Sequence, residues 1–379
     1  MNKIAIYTLA SSLHDPERVS AITQEFLKTL HVEYELKGND YTDYGSHALD
    51  VIFICTGGTE DAFMSLLPDL RQKSSRPIYL LASGKGNSLA ASMEILSFLR
   101  QHAILGEIIH GDEEYVDYRL KMLEQAGEAH QKLKGCRLGI IGRPSDWLIS
   151  SHADPVVVKE RLGIDLVDIP MEELFSHLPS NNSIYAALEG IINDYHLQGF
   201  TLRCFDLIDR LHDTGCLPVA RLNAHGYVAG CEGDVPAMLS MAIVRSLFGL
   251  SGFLANPATI NPETGELLFA HCTIPLDMVE RYELDTHFES GVGTGVRGFM
   301  REGPVTVFKV SGDLKRHFIA EGRLVMNLAL PNLCRTQQVI QLVDRMQAHY
   351  FLSDPIGNHH IIIPGHHADI LEEFLKSNS

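Results

Sequence analysis

The chain has 379 residues, 45% of them hydrophobic, so it is long enough to bury two or three separate cores. Its 31 basic and 48 acidic residues give a net charge of −17, which argues against a nucleic-acid or anionic-membrane surface. No run of 18 apolar residues predicts a membrane span, and the N-terminal stretch lacks the features of a signal peptide. Seven scattered cysteines without a CxxC pair are typical of a reducing compartment, so we expect a cytoplasmic protein without thiolate zinc.

The first third of the sequence alternates strand and helix signals. Three short apolar runs, each followed by a turn and a helical pattern, are "KIAIYTLA", "DVIFIC" and "PIYLLAS". The first helix has Asp15 as its expected N-cap and Pro16 in its first turn. This rhythm predicts a parallel sheet in an N-terminal αβα domain over residues 1–133, which ends in a charged helix around residues 117–134.

A second Rossmann-like αβα domain is predicted over residues 134–250. Its strands include "CRLGIIG" and "DLVDIP", and "LPVARL" is predicted as a further strand. The helix "SIYAALEGIINDYHLQG" has Gly199 as its expected stop. The unit closes with the apolar helix "DVPAMLSMAIVRSLFGL", with Asp234 as its N-cap and Pro236 in its first turn.

Beyond about residue 251, strand patterns follow one another directly. Runs such as "GELLFAHCTI" and "GPVTVFKVSGD" are joined by Gly, Asp and Pro turns, which predicts an antiparallel barrel or sandwich. A helix over "RTQQVIQLVDRMQAHYFLSD" and a strand over "HHIIIPG" complete this C-terminal domain, residues 251–379. The predicted fold class is therefore α/β, with two parallel αβα units followed by a β-rich, barrel-like domain.

Three Gly-rich segments and one tryptophan have both a structural and a functional interpretation. "SGKGNS" and "TGGTED" each lie between a strand and a helix, where a tight turn is favoured over a phosphate or hydroxyl site. "GVGTGVRG" is interpreted as turns between barrel strands, with Arg297 as either a surface residue or a ligand for a substrate oxygen. Trp147, the single tryptophan, is either a core residue or a stacking face for a sugar.

A set of oxygen and imidazole donors stands out because the chain has no GxSxG and no HExxH motif. Each donor has a structural alternative, such as helix capping for Asp234. Together, and without thiolates, they suit Mn²⁺ or Mg²⁺ better than structural zinc. The candidates are Glu232, Asp234, Asn256, His271, His287, Glu289, Asn358, His359 and His360.

Four segments resemble the L-fucose isomerase and L-arabinose isomerase superfamily, and most closely its short fucose-isomerase-like branch: "CEGDV", "FLANPATIN", "AHCTIPLD" and "GNHHIIIPG". The resemblance covers nearly the whole chain in layout and is specific in its motifs after about residue 220. It implies a metal site of Glu232, Asn256, His271 and His359, with His360 as the alternative to His359. Asn256 is a departure, because the family has a carboxylate there and an amide cannot act as a base.

The resemblance implies a Mn²⁺-dependent aldose–ketose isomerase acting on a small sugar, with Mg²⁺ or another divalent cation as the alternative ion. A proton would move between C1 and C2 through a metal-stabilised enediolate. The catalytic residues would be Glu232, Asn256 and Asp234. The substrate contacts would be Trp147, Arg297, Asn358 and His360. The resemblance also implies a homo-oligomer, either a trimer or a hexamer.

Two alternatives stay open at this point. One, motivated by Asn256, is a sugar-binding or regulatory protein that keeps the fold and has reduced catalysis. The other is a metal-dependent sugar-phosphate lyase, in which the Gly-rich turns and Arg297 would hold the phosphate.

Overall fold

The computed structural model describes residues 3–376, which form two compact units. The first unit contains the residues up to Gln131 together with those from Glu373 onward, and the second contains Lys132–Glu372. Within residues 3–376, no helix combines the length and the apolar character that a membrane crossing requires.

The first unit is built on a five-stranded parallel sheet. Its strands are β1 (Ile4–Leu9), β2 (Tyr34–Gly38), β3 (Leu49–Ile54), β4 (Ile78–Ala82) and β5 (Gly106–Ile109). Its helices are α1 (Pro16–Leu27), α2 (Glu60–Lys73), α3 (Ser88–Gln101) and α4 (Glu113–Leu133). The strand order is β2-β1-β3-β4-β5. β3 and β4 are buried along their whole length, as the continuous apolar runs predict for strands covered on both faces.

The start of α1 confirms the predicted N-cap, and the two Gly-rich segments before α2 and α3 form tight turns. Asp15 caps α1 by accepting a hydrogen bond from the backbone N–H of Glu17, with Pro16 in the first turn. The two Gly-rich segments after β3 and β4 form adjoining turns, in which the N–H of Gly57 donates to the carbonyl oxygen of Gly86 over 2.7 Å. Gly86 takes a left-handed φ of 61°, which glycine adopts without steric cost.

The second unit begins with a four-stranded parallel sheet. Its strands are β6 (Arg137–Ile141), β7 (Asp165–Ile169), β8 (Gly199–Leu202) and β9 (Val228–Cys231), in the order β7-β6-β8-β9. Its helices are α5 (Pro155–Leu162), α6 (Met171–Ser176), α7 (Ile184–Tyr195), α8 (Phe205–Leu211), α9 (Cys216–Ala224) and α10 (Val235–Phe248).

Two local predictions in this segment are wrong. The stretch "LPVARL" lies inside α9, whose buried residues Cys216, Val219, Ala220 and Asn223 recur at helical rather than strand spacing. Helix α7 ends at Tyr195 and is capped by His196, which takes a left-handed φ of 53°, so Gly199 is not its stop. Gly199 instead begins β8, where an added Cβ would lie 2.4 Å from a backbone oxygen of the neighbouring strand.

A closed six-stranded antiparallel barrel and a separate hairpin complete the second unit. The barrel strands are β10 (Phe253–Asn261), β11 (Glu266–His271), β14 (Gly303–Val310), β15 (His317–Leu328), β16 (Thr336–Leu342) and β17 (His360–Pro364). Their order around the barrel is β10-β11-β16-β15-β14-β17. The hairpin consists of β12 (Arg281–Asp285) and β13 (Gly295–Phe299). The short helices of this segment are the 3-10 turns Leu276–Met278 and Arg345–His349, α11 (Tyr350–Ser353) and α12 (Ala368–Lys376).

The predicted helix over residues 335–354 is wrong in its first half, which forms β16. β16 pairs with β11 on one side and with β15 on the other, so the barrel closes through it. Its inward residues Ile340 and Leu342 join the barrel core. Pairing on both sides outweighs the polar character of "TQQ", because β propensity depends strongly on context.

Helix α10 connects the parallel sheet to the barrel. It is buried along nearly its whole length and packs against β8 and β9 on one side and β14 and β17 on the other. The hydroxyl of Ser240 accepts a hydrogen bond from the backbone N–H of Val310 in β14 over 3.0 Å. The predicted fold class is confirmed, and the carboxyl end of β9 is brought up against the barrel.

Candidate functional site

Glu232 follows β9 directly, in a turn that fixes its position. Its φ of 61° is left-handed, which is uncommon for a residue other than glycine and is frequent at functional sites. The carbonyl oxygen of Glu232 accepts a hydrogen bond from the N–H of Ser145 over 2.9 Å. Gly233 is also left-handed, and a Cβ there would lie 2.5 Å from the carbonyl oxygen of Arg143. The acid is therefore held at the carboxyl end of a parallel sheet, where open α/β sheets bind ligands.

The side chain of Glu232 lies against two imidazoles and one indole. Its Oε1 lies 3.4 Å from Nε2 of His271 and 3.5 Å from Nε2 of His359. Its Oε2 accepts a hydrogen bond from Nε1–H of Trp147 over 2.8 Å. One ligand atom from each of Glu232, His271 and His359 lies within 4.8 Å of the other two. Residues just after β9, at the end of β11 and just before β17 thus meet at one point.

The orientation of His359 is set from behind by Asp234. Nδ1–H of the fully buried His359 donates to Oδ2 of Asp234 over 2.9 Å, which directs Nε2 toward Glu232. Asp234 also caps α10 through the N–H of Ala237, at 2.7 Å, and lies 3.3 Å from the ammonium of Lys309. A carboxylate behind a ligating histidine is the usual arrangement in metal sites, because it fixes the tautomer and the ring plane.

The charges of this cluster support one another. Burial acts against ionisation of Glu232, but the positive charge of His359 and the hydrogen bond from His271 hold the pKa of its carboxyl well below the usual range. Burial also opposes a charged His359, yet Glu232 and Asp234 raise its pKa to about 9. Lys309, paired with Asp234, still has a lowered pKa because it is fully buried. Glu232 is therefore available as an anionic ligand.

His271 ends β11 with its ring buried. Its Nδ1 lies 2.9 Å from the hydroxyl oxygen of Thr273, which leaves Nε2 on the side of Glu232. Asn256, on β10, contributes a buried Oδ1 without a hydrogen-bond partner among residues 3–376, and the same is true of Nε2 of His359. Buried polar atoms without a partner cost about 1–3 kcal/mol each, so such atoms call for a ligand.

An open cleft of about 380 Å³ reaches this cluster at Glu232. Its walls present two aromatic rings, two amides and two carboxylates, from Trp147, Phe205, Glu232, Asn256, Glu289 and Asn358. Trp147 is 53% exposed and its ring meets Phe205 edge-on at 4.7 Å, so it is a wall of the cleft rather than a core residue. Aromatic faces pack against the C–H side of small polar molecules, while the amides and carboxylates bind hydroxyl groups.

Two of the predicted substrate contacts lie elsewhere. Arg297, on β13, is paired with Asp285 at 3.0 Å and with Glu283 at 3.4 Å, and it does not line the cleft. His360 is fully buried in an aromatic cluster, where Tyr350 lies 3.0 Å from its Nε2, and burial lowers its pKa to about 3. His359, and not its neighbour, presents its ring to Glu232.

Three residues of the site carried no prediction: Thr273, Phe205 and Lys309. Lys309 had a usable signal, because a lysine inside the apolar strand "VTVFKV" is rare unless it is paired. Thr273 and Phe205 had none, since a hydroxyl two residues from a histidine and a phenylalanine at a helix start are common features.

The donor set fits a divalent cation. The cluster supplies oxygen and nitrogen ligands without a thiolate. They are one carboxylate and two imidazoles, which bind a metal in their neutral form, and the amide oxygen of Asn256 lies nearby. Such a set suits Mn²⁺ and related cations. Nε2 of His359, which faces Oε1 of Glu232 at 3.5 Å without a hydrogen bond, is the atom that an ion would bind in exchange for a proton.

A partly buried carboxylate and two buried imidazoles, at the carboxyl end of a parallel sheet and beside an open cleft, form a possible metal-binding site. No family model matches the chain. Curated sulfoquinovose isomerases from Priestia aryabhattai and Priestia megaterium are each 22% identical to it, over 59% of this chain and 59% of their own length. One from a Clostridium species is 21% identical, over 52% of this chain and 50% of its own. The chain thus spans between half and three fifths of the length of these relatives.

Proposed function

We propose that this protein is a divalent-metal-dependent isomerase that interconverts the aldose and ketose forms of a monosaccharide. The observation that carries the proposal is the cluster of Glu232, His271 and His359, whose ligand atoms lie within 4.8 Å of one another beside a sugar-sized cleft that Glu232 lines. The distant similarity to sulfoquinovose isomerases supports the same reaction class. Cleft volumes of a few hundred Å³ are typical of small-molecule sites.

The proposed ion is Mn²⁺, held by Glu232, His271 and His359 with Asn256 as a further oxygen ligand. When bound, such an ion polarises the oxygens on C1 and C2 of the sugar and stabilises negative charge that develops there. The chain itself does the positioning: Trp147 restrains Glu232 through the 2.8 Å hydrogen bond and offers its ring face to the sugar. Asn358 supplies an amide to the sugar hydroxyls.

The proposed substrate is a free, polyhydroxylated sugar rather than a sugar phosphate. Two of the six side chains that line the cleft are carboxylates, which repel a phosphate and accept hydrogen bonds from hydroxyl groups. Arg297, which could have held a phosphate, is already paired with two acids. We further propose a homo-oligomer, trimeric or hexameric, on the resemblance of the motifs alone.

The test is turnover of a sugar panel by protein stripped with EDTA and then supplied with Mn²⁺. The panel contains L-fucose, L-arabinose, D-glucose and sulfoquinovose, with ketose formation followed by NMR. We expect turnover of at least one sugar after Mn²⁺ is added and none before. Glu232→Gln and His359→Gln should lose it, while the exposed control Glu302→Gln should keep it. Turnover that is indifferent to EDTA, or an inert wild-type protein, would contradict the proposal.

One observation favours a second candidate, a sugar-binding protein without turnover. Asn256 stands where the resemblance implies a carboxylate, and an amide cannot take a proton from carbon. Calorimetry separates the two functions, because this candidate predicts that a sugar of the panel binds in the presence of Mn²⁺ and is recovered unchanged.

A further inference from the structure

We infer that Glu289 is the base that takes the proton from C2 of the sugar and returns it to C1, in place of the carboxylate missing at Asn256. The inference rests on the proposed isomerase function. It answers the question that Asn256 raises, namely which group of this chain moves a proton between two carbons.

The other carboxylates of the site are occupied. Asp234 is fully buried and receives hydrogen bonds from the N–H of Ala237, from His359 and from Lys309. One oxygen of Glu232 faces the two imidazoles, and its other oxygen accepts a hydrogen bond from Trp147. Neither carboxylate has an oxygen free to accept a proton from substrate carbon.

Glu289 is the second carboxylate that lines the cleft. It makes no hydrogen bond or ion pair within the described range 3–376, unlike the neighbouring acids Glu283 and Asp285, which pair with Arg297. Its side chain is open to the cleft, where a substrate would reach it. Partial burial raises the pKa of its carboxyl, which favours a proton-accepting role.

The loop that carries Glu289 is held in place. It joins β12 to β13, and the ring of His287 is fixed by Ser290 at 3.0 Å and by an edge-on contact with Phe205. The N–H of Gly291 donates to the carbonyl oxygen of His287 over 2.8 Å. Further along, the hydroxyl of Thr214 donates to the carbonyl oxygen of Thr294 over 2.7 Å. A base on a braced loop keeps its position relative to a bound sugar.

The proton transfer balances without an added reactant. The carboxylate of Glu289 takes the proton from C2, the C2–H electron pair forms the C1=C2 bond, and the carbonyl electron pair moves onto O1. The proton of the O2 hydroxyl passes to O1, which leaves the enediolate with its negative charge on O2. Re-forming the carbonyl at C2 sends the double-bond pair to C1, which takes the proton back from Glu289. The products are the ketose and the original carboxylate.

The experiment compares Glu289→Gln, Glu289→Asp and the exposed control Glu302→Gln with the wild-type protein. Gln keeps the size of Glu and one acceptor oxygen but cannot take a proton, so we expect kcat to fall at least 100-fold with KM within about threefold. Calorimetry should show Mn²⁺ affinity unchanged within about twofold, because Glu289 is not a ligand. In D₂O, deuterium should appear at C1 of the ketose with wild type and not with Glu289→Gln. Glu289→Asp should recover part of the rate.

Three results would overturn the inference. If Glu289→Gln keeps kcat within about threefold of an active wild type, the base is another group while the isomerase function stands. If KM rises and kcat is unchanged, Glu289 only binds the substrate. If the wild-type protein turns over none of the panel sugars, the proposed function fails and this inference fails with it.

Discussion

At the scale of single residues, the site is a line of alternating charges that runs from the barrel interior to the cleft. Lys309 faces Asp234, Asp234 holds Nδ1 of His359, and Nε2 of His359 faces Glu232. Each buried charge has an opposite neighbour, which is the condition under which charges survive burial. Because Asp234 binds Nδ1 of His359, Nε2 is the nitrogen of that ring that can bind an ion.

Removing the charge of Asp234 tests this line. Asp234→Asn alone leaves Lys309 buried beside a neutral amide, and we expect the free energy of unfolding to fall by about 3–5 kcal/mol. The double variant Asp234→Asn/Lys309→Met should recover most of that loss, because no unpaired ammonium remains. It should still bind Mn²⁺ about tenfold more weakly, since a neutral amide orients His359 less firmly. Urea unfolding and Mn²⁺ calorimetry measure both effects.

A double variant with wild-type Mn²⁺ affinity would show that Asp234 does not position His359. Lys309→Met alone is the matched control, because it leaves the bond between Asp234 and His359 in place.

The sequence exposes some residues of the site and hides others. Glu232 and Asp234 stood out as two acids around a glycine before an apolar helix, and the cap at Asp234 is confirmed. The pattern around Lys309 indicated a paired lysine, but its partner, like the role of Thr273, depends on which strands of the barrel are neighbours of α10 and β11. Glu289 appeared among the candidates, but nothing in its sequence neighbourhood distinguished it from an exposed strand residue.

At the scale of elements, β16 shows how a closed barrel changes the meaning of a polar run. Gln337 and Gln338 are adjacent and both buried, yet they differ in partners. The amide of Gln337 bonds to the backbone of Leu330 at both N–H and carbonyl oxygen. Gln338 lies opposite Phe269 in the barrel, and its amide has no partner among residues 3–376. The same residue type therefore stabilises the fold at one position and costs free energy at the next.

This contrast predicts opposite effects of the same substitution. Gln338→Met removes a buried amide without partners and should raise the free energy of unfolding by about 1–2 kcal/mol. Gln337→Met removes three hydrogen bonds and should lower it by about 1–3 kcal/mol. Denaturant unfolding of the two variants measures both. A loss of stability in Gln338→Met as large as that in Gln337→Met would refute the assignment.

The first unit offers a pH test at the contact between His130 and Phe374, both of which belong to that unit. His130, on α4, stacks on Phe374 of α12 at 4.0 Å and hydrogen-bonds its carbonyl oxygen. Burial lowers the pKa of His130 to about 4, below the value of about 6.5 in an unfolded chain. The unfolded state therefore binds the extra proton between these two values, and stability should fall as pH drops from 6.5 to 4.

The expected contribution of His130 is on the order of 1–3 kcal/mol over that interval. Unfolding of the wild-type protein and of His130→Gln, measured from pH 7 to pH 4, should show a shallower loss of stability in the variant. The exposed His14→Gln serves as the control and should follow the wild type. Parallel pH curves for all three proteins would contradict the expectation.

At the scale of the whole molecule, the sequence predicts the fold better than it predicts which distant residues meet in the site. Continuous apolar runs followed by helices identified the two parallel sheets, and strands joined by turns identified the barrel, because both patterns follow from burial. The meeting of Glu232, His271 and His359 needed barrel closure and the placement of α10. Neither can be derived from spacing along the chain, and only the resemblance of the motifs suggested the set.

The most direct measurement of the central claim is anomalous diffraction from crystals of the protein grown with Mn²⁺. We expect one strong peak per chain, about 2.0–2.4 Å from Oε1 of Glu232, Nε2 of His271 and Nε2 of His359. That peak should disappear in Glu232→Gln crystals grown in the same way. An ion bound elsewhere, or no peak at these three side chains at saturating Mn²⁺, would contradict the account.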